Sequence, residues 1–366
     1  MGAANAYASD LSDANDYPIE VHKKAVPHLT KQVKAKSGNK DIWADHSDVG
    51  VAHAAQYRLT GTLPSNIDLW GTYSYKFTDT PDANMVIDSK SVKAYLVHDG
   101  KSTEIGGYAV SKSGNSISVA WKNLVESVPG LVYGDKICVE YSAHLKAGSD
   151  RSGQAKPVKN SATLEYTAEN ETGKTETTVP DTTESFTYTL TVHKKDESGH
   201  ALAGAQFKLT DSDGNTISSN GSSVAGPASA LTSDKDGDIT VTGLDAGTYT
   251  LTETKAPDGY EACKPSRITV SSNASTMSDE LKLKADVQGD AALDSVSSNT
   301  GVIYTTITDA ASQSHGSIFH KTGNPLADWA WVLAAAVAAA IAAITHGIRS
   351  RRAAESSQEM TQVRRE

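Results

Sequence analysis

The chain has 366 residues, a formal net charge of −10 and no basic stripe, and this charge distribution argues against nucleic acid as a partner. Glycine and β-favouring residues are abundant, which is typical of strands and turns and excludes a mainly helical protein. The two cysteines, Cys138 and Cys263, lie far apart in sequence, so a chain of this size, if exported, needs a source of stability other than a disulfide.

The N-terminus carries no secretion signal. Residues 1–20 have neither a basic leading region nor an apolar core. A segment at the other end of the chain requires export, as described below. We therefore expect residues 1–24 to be the remnant of a truncated N-terminal region, and its last residues, 17–24 (YPIEVHKK), read as a short strand.

Short alternating runs follow up to about residue 185 and predict a β-sandwich. In residues 29–33 (LTKQV), Lys31 shares a face with Leu29 and Val33. Such a lysine either snorkels from an edge strand or is buried with a partner. The other strands predicted here are 54–62 (AAQYRLTGT), 73–79 (YSYKFTD), 92–98, 116–121, 136–143 (KICVEYSA) and 160–166 (NSATLEY).

Three polar residues, Lys31, Asp79 and Asn160, lie in register with the apolar faces of three separate strands. Taken singly, each is ordinarily a solvated or hydrogen-bonded side chain. Together they supply an amine, a carboxylic acid and a carboxamide. Burial favours the uncharged amine, which is a nucleophile, and a protonated acid can shuttle protons. The predicted product is a Lys–Asn isopeptide bond, formed with loss of ammonia.

The region from 186 to 312 repeats this pattern. Residues 186–195 (FTYTLTVHKK) place Lys194 on an apolar face, and alternation in later strands does the same for Glu253 and Asp309. An ion-pair cluster at a sheet edge is the plainer interpretation. Residues 234–238 (DKDGD) lack the final glutamate of a calcium loop and are predicted to form a turn.

The C-terminal end, residues 318–352, has a polar pentad, an uncharged run and a basic cluster in that order. The run at 329–345 is about long enough to cross a bilayer as a helix. The basic residues after it, Arg349, Arg351 and Arg352, favour a cytoplasmic end. The rest of the chain is then outside the cell, and an ordinary membrane anchor is the plainer alternative.

Pentad, span and arginines together resemble a Gram-positive cell-wall sorting signal, whose usual pentad is Leu-Pro-x-Thr-Gly. Lys321, Thr322 and Gly323 fit this pattern, whereas Phe319 and His320 stand in place of Leu-Pro. The resemblance implies that a sortase cysteine attacks the Thr322 carbonyl and passes the protein to an amine. The membrane span is then temporary.

Residues 17–185 resemble the Cna A-like middle domain of SpaA-like, sortase-assembled shaft pilins, on the segments LTKQV, AAQYRLTGTLP, YSYKFTD and NSATLEY. The resemblance implies that Lys31 and Asn160 form the bond and that Asp79 is catalytic. It also places a polymerisation motif ending Val-Tyr-Pro-Lys where this chain has Val-His-Lys-Lys, ending at Lys24. Lys24 is therefore the candidate polymerisation lysine, and a plain surface lysine is the alternative.

The second region resembles a Cna B-type pilin domain, on the segments KKDESGHALAGAQFKL and GLDAGTYTLTETKAPDGY, the latter close to the E-box of that family. The resemblance implies that Lys194 attacks a side-chain acyl group while Glu253 shuttles the proton. The matching acceptor position holds Asp309, which would lose water rather than ammonia. Asn299 is the second candidate for the acceptor.

We therefore predict an all-β chain of two tandem immunoglobulin-like, Cna-type β-sandwich domains followed by a C-terminal transmembrane helix. The predicted regions are 1–24 (remnant with a degenerate pilin motif), 25–185 (Cna A-like domain), 186–312 (Cna B-type domain), 313–325 (sorting signal), 326–348 (transmembrane helix) and 349–366 (basic cytoplasmic tail).

The predicted function is that of a structural subunit of a wall-anchored, adhesive pilus. The predicted partners are a sortase, neighbouring pilin subunits, peptidoglycan and a host surface ligand. A non-polymerising wall-anchored adhesin, or an ancillary pilin that binds a host ligand, is the alternative. Neither turnover chemistry nor a cofactor or metal is predicted, because no catalytic triad pattern is recognisable and the eleven histidines lack metal-ligand spacing.

Overall fold

The computed structural model describes residues 26–37, 40–148, 152–169, 172–224 and 230–312. Lys24, the pentad at 319–323 and the predicted regions 1–24, 313–325, 326–348 and 349–366 lie outside these residues, and their roles stay predictions. Within the described part of the chain, no helix has the length and apolar character needed to cross a membrane.

Two sheets build the first half of the described chain. In chain order the strands are β1 Leu29–Ser37, β2 Lys40–Ala44, β3 His46–Asp48, β4 Ala55–Thr62, β5 Tyr75–Pro81, β6 Met85–His98, β7 Lys101–Ile105, β8 Ala109–Ser113, β9 Ser116–Trp121, β10 Lys136–Leu145, β11 Val158–Thr167, β12 Thr175–Thr177 and β13 Asp181–Phe186. One sheet has the order β2-β1-β4-β10-β6-β7, and the other has the order β3-β13-β11-β5-β9-β8 with β12 beside β11.

The two sheets enclose one apolar core, so they form a β-sandwich, called here the first sandwich. Val33, Tyr57 and Leu59 of the first sheet lie in the same buried cluster as Phe77 and Leu164 of the second. Along each of these strands, inward side chains alternate with outward ones, as the pleat requires. The hydrophobic pattern thereby fixes which polar residues point into the core.

A second pair of sheets follows. Its strands are β14 Tyr188–Asp196, β15 Gln206–Thr210, β16 Thr216–Ile217, β17 Ser223–Val224, β18 Leu231–Thr232, β19 Asp238–Leu244, β20 Gly247–Lys255, β21 Ser266–Ser271, β22 Lys284–Gln288, β23 Ala291–Ser297 and β24 Val302–Asp309. The smaller sheet has the order β19-β14-β24-β23, and the larger has the order β17-β16-β15-β20-β21-β22 with β18 beside β15.

The second sandwich joins its first and last strands directly. β14 and β24 pair in parallel, from Thr189 opposite Val302 to Asp196 opposite Asp309. Apolar residues of both sheets fill the space between them, with Leu190 and Ile303 on one side and Phe207, Leu251 and Ile268 on the other. The two ends of this part of the chain therefore leave from neighbouring strands.

Helix is almost absent from the described residues. It is confined to α1, Leu124–Ser127, and two single 3₁₀ turns, Ile67–Leu69 and Ala274–Thr276. The prediction of an all-β protein is confirmed for this part of the chain.

The two sandwiches contact each other within one compact unit that ends at Ser312. The backbone N–H of Val51 donates to the carbonyl of Gly243 at 2.8 Å. The Asp48 carboxylate accepts hydrogen bonds from the Ser272 and Tyr188 hydroxyls. Because Asp48 belongs to the first sandwich and its partners to the second, the junction is held by specific bonds as well as by the covalent chain.

Two candidate cross-link sites in the sandwich cores

Lys31 lies on β1, the second strand of the first sheet. Its strand, β1, pairs with β2 on one side and β4 on the other. Alternation along β1 directs Lys31 inward together with Val33 and Ala35, and no part of the lysine is exposed. The sequence left open whether this lysine snorkels or is buried with a partner, and the structure shows that it is buried.

Asp79 and Asn160 project into the same core from the opposite sheet. Their strands, β5 and β11, are antiparallel neighbours in which Asp79 lies opposite Ala162. Asp79 is 1% exposed and Asn160 is 0% exposed. A buried amine, acid and carboxamide therefore face each other across the sandwich interior.

The contacts within this group form a connected network. The Lys31 ammonium pairs with Asp79 Oδ2 and also donates to the Tyr141 hydroxyl at 2.7 Å. Asn160 Nδ2 donates to the same hydroxyl at 3.0 Å. Asp79 Oδ1 and Asn160 Oδ1 have no hydrogen-bond partner among the described residues. Buried polar atoms are normally satisfied, and these two oxygens are exceptions.

Electrostatics of the first site favour a nucleophilic amine. Burial lowers the pKa of Lys31, because the charged ammonium loses its hydration, while the charge of Asp79 opposes this shift. A lowered pKa increases the fraction of neutral amine, the form that attacks an acyl carbon. The side-chain amide of Asn160 lies in the same buried network.

Sequence reasoning missed Tyr141 and Asp181. Tyr141 is 2% exposed on β10, and its ring stacks on that of Tyr57 at 5.6 Å between centroids. Asp181 accepts a hydrogen bond from the Lys31 backbone N–H at 2.6 Å. A tyrosine on the apolar face of a strand is an ordinary core residue, so the sequence carried no signal for its contacts.

The second site lies between β14, β24 and β20. Lys194 and Asp309 come from the adjacent parallel strands, and the lysine Nζ directly contacts Asp309 Oδ1. Glu253 reaches in from the opposite sheet, with Oε1 at 3.7 Å from Lys194 Nζ. All three side chains are buried, so this is not an ion-pair cluster at an exposed sheet edge.

Burial also affects the ionisation of Asp309, the candidate acceptor of the second site. The pKa of Asp309 is raised because its carboxyl is removed from water, although Lys194 opposes the shift. A higher pKa increases the fraction of the carboxyl group that is protonated at a given pH. An amine attacks a neutral carboxylic acid more easily than it attacks a carboxylate. The environment therefore suits loss of water from Asp309.

Cys263 is a further neighbour that the sequence did not indicate. Its backbone N–H donates to Glu253 Oε2 at 2.8 Å, which holds that carboxylate in place. Burial and Glu253 raise the pKa of its thiol to about 12. Ligand atoms of Cys263, Glu253 and Asp309 lie within 4.8 Å of one another. Lys194 Nζ also contacts Asp309 Oδ1 in this group.

Asn299, the other acceptor considered from the sequence, lies elsewhere. It is exposed in the turn between β23 and β24. The ladder pairs Thr189 with Val302 near this turn, and it pairs Lys194 with Ile307 toward the other end. The structure brings Asp309, and not Asn299, to Lys194.

A family model matches part of the second sandwich. Residues 188–285 match the family model described as the SpaA prealbumin-like fold domain. The matched stretch contains Lys194 and Glu253 and ends before Asp309. No curated protein matches the chain.

Among solved structures, the fold is similar to that of pilus backbone proteins. The pilus 2b backbone protein of group B streptococcus is 22% identical, with a TM-score of 0.54 over 75% of this chain and 99% of that one. The T6 backbone pilin of serotype M6 Streptococcus pyogenes is 15% identical, with a TM-score of 0.53 over 78% and 70%. A 35 kDa C-terminal fragment of the Streptococcus agalactiae major pilin GBS80 is 17% identical, with a TM-score of 0.52 over 78% and 100%. This chain therefore has the multi-sheet, all-β fold of Gram-positive backbone pilins.

Proposed function

We propose that this chain is a structural shaft subunit of a covalently assembled pilus on a Gram-positive cell, and that each sandwich is closed by an intramolecular isopeptide bond. The observation that carries the proposal is the pair of buried sets, one in each core, in a chain with a backbone-pilin fold. Each set combines a lysine amine with an acid and an acyl acceptor. The reaction occurs once per site, between side chains of the same chain, and the protein does not act as an enzyme with turnover.

In the first sandwich, the Lys31 amine attacks the Asn160 carboxamide carbon while Asp79 shuttles protons, and ammonia leaves. In the second, Lys194 attacks the Asp309 carboxyl carbon with Glu253 in the same role, and water leaves. Enclosure at contact distance gives these groups a large effective molarity. Removal from water also strengthens the electrostatic interactions that stabilise charge during the reaction.

The two bonds define a path for mechanical load. Tension entering at β1 passes from Lys31 to Asn160, and later from Lys194 to Asp309. The intervening segments, 32–159 and 195–308, are bypassed and cannot be peeled apart by force along the chain.

Each cross-link also lowers the conformational entropy of the unfolded chain, which stabilises the folded sandwich by about 5 kcal/mol. Unlike a disulfide, an amide bond is indifferent to reductants, which suits a chain whose two cysteines are free.

Assembly in this proposal uses the predicted sorting pentad. Sortase cleaves after Thr322, and the acyl group passes to Lys24 of the next subunit or, at the base of the fibre, to the peptidoglycan precursor. The membrane span serves only until that transfer. A pilus of this kind would support adhesion to a host surface.

Polymer ladders test the assembly. In a Gram-positive host that expresses a pilin sortase, wild-type cell-wall extracts should show a ladder of covalent multimers on denaturing gels. Lys24→Ala should reduce the ladder to a single band, because the acceptor amine is gone. The neighbouring Lys23→Ala is the matched control and should retain the ladder. An unchanged ladder in Lys24→Ala rejects Lys24, and no ladder in the wild type favours the non-polymerising adhesin.

A further inference from the structure

The Tyr141 hydroxyl occupies the centre of the first site. It lies within hydrogen-bond distance of the nucleophile, at 2.7 Å from Lys31 Nζ, and of the leaving group, at 3.0 Å from Asn160 Nδ2. It also contacts Asp79 Oδ2. A single hydroxyl therefore connects all three groups of the proposed reaction, and β10 holds it from the sheet that carries Lys31.

The arrangement of donors fixes how this hydroxyl is used. A phenol has one proton to donate and two lone pairs to accept with. The Lys31 amine and the Asn160 Nδ2 are donors, so they occupy the lone pairs, and the phenol proton is directed to Asp79. The hydroxyl thus aligns the nitrogen that must leave Asn160 and places it one hydrogen bond from a proton source.

We propose that Tyr141 is a catalytic residue of the first cross-link and relays the proton of Asp79 to the departing nitrogen of Asn160. This proposal rests on the proposed function. The Lys31 Nζ lone pair forms a bond to Asn160 Cγ, and the carbonyl oxygen takes the negative charge. The attack makes Nδ2 tetrahedral and frees its lone pair, and it takes Nζ away from the phenol oxygen. The Tyr141 hydroxyl then turns its proton from Asp79 to Nδ2, gives it to that nitrogen, and takes the Asp79 proton in exchange.

The remaining steps restore the site. The oxyanion collapses, the Cγ–Nδ2 bond breaks, and ammonia leaves. The surplus proton on Nζ passes to Asp79, which regains the proton that it gave to Tyr141. The products are one amide bond and one ammonia, and both Asp79 and Tyr141 end in their starting forms. Without the relay, the amide nitrogen would leave as an unprotonated and very poor leaving group.

The second sandwich provides an internal reference. The aromatic side chain beside its lysine is Phe207, whose ring centroid lies 5.9 Å from Lys194 Nζ and which has no hydroxyl. At that site Glu253 lies 3.7 Å from the lysine. Loss of the Tyr141 hydroxyl should therefore slow only the first bond.

Refolding kinetics test the relay. The full chain would be recovered unfolded from inclusion bodies and diluted into native buffer, and its intact mass followed with time. Tyr141→Phe should slow the loss of about 17 Da by about 100-fold or more, the usual contribution of general acid catalysis. The loss of about 18 Da at the second site should keep its wild-type rate. Tyr57→Phe is the matched control, because its hydroxyl bonds Ser185 instead, and its rates should be unchanged.

The outcomes separate this proposal from the one on which it rests. A wild-type chain that never loses 17 Da refutes the cross-link itself. A wild-type rate of that loss in Tyr141→Phe overturns the relay and leaves the cross-link standing. If Tyr141→Phe fails to fold, as judged by circular dichroism, 3-fluorotyrosine at position 141 keeps the ring and hydroxyl but changes the phenol acidity. Its rate should then differ from the wild type, and an identical rate overturns the relay.

Discussion

Replacement of Asn160 by alanine is expected to lower the unfolding temperature of the first sandwich by about 10–20 °C, because the link to Lys31 cannot form. The substitution removes the acyl acceptor but keeps the Lys31–Asp79 ion pair, so the core is left without an unpaired charge. Calorimetry measures the shift, and intact mass should show only the loss of about 18 Da from the second site.

The matched control is Asn115→Ala. The Asn115 amide donates to the backbone carbonyls of Pro81 and Asp82 and contributes to no cross-link. This variant should lose both ammonia and water and melt close to the wild type. If Asn160→Ala still loses 17 Da, the acceptor is a different residue and the first site has been misassigned.

Replacement of Glu253 by glutamine is expected to abolish the second cross-link. Glutamine retains the shape of the side chain and an oxygen to accept the Cys263 N–H, but it cannot take and return a proton. Lys194 should then remain a free amine, and the total mass loss should fall to about 17 Da. The second sandwich should lose about 5 kcal/mol of stability against denaturant.

Asp309→Asn is the informative companion to this variant. The amide keeps an acyl carbon at the same place, so the link to Lys194 should still form, but ammonia leaves instead of water. Loss from the second site should change from about 18 to about 17 Da. A variant that remains unlinked would show that the site depends on the carboxylic acid itself.

Alternation alone was sufficient to identify six buried polar positions. Lys31, Asp79 and Asn160 were predicted from their place on apolar faces, and the pleat does bring all three into one core. Alternation also put Lys194, Glu253 and Asp309 on apolar faces, and the resemblance to a Cna B-type domain predicted that they act together. A charged residue in phase with apolar neighbours is rare enough to be informative, because its burial is costly without a partner.

The pairing of strands was not readable from the sequence. The parallel contact of β14 with β24 joins segments more than 100 residues apart, and no local pattern encodes such a neighbour. Short polar strands such as β7 and β8, with almost no buried residue, also lack the hydrophobic alternation on which the prediction depends. Their pairing is set by the strands beside them.

Residues whose roles depend on contacts in the folded structure were not predicted from the sequence, for a related reason. Tyr141 alternates correctly with Ile137 and Val139 on β10, so its apolar ring fully explains its position in the sequence. Only the three-dimensional arrangement shows that its hydroxyl meets three reactive groups. Cys263 likewise lies in a loop between β20 and β21 and contacts Glu253 through its backbone.

The mass of the folded chain tests the central claim most directly. With both bonds formed, the purified, fully reduced protein should weigh about 35 Da less than its sequence requires, from one ammonia and one water. A proteolytic digest should then contain two branched peptide pairs, one joining Lys31 to Asn160 and the other joining Lys194 to Asp309. A folded protein with the full mass of its sequence and four unmodified linear peptides would contradict the account.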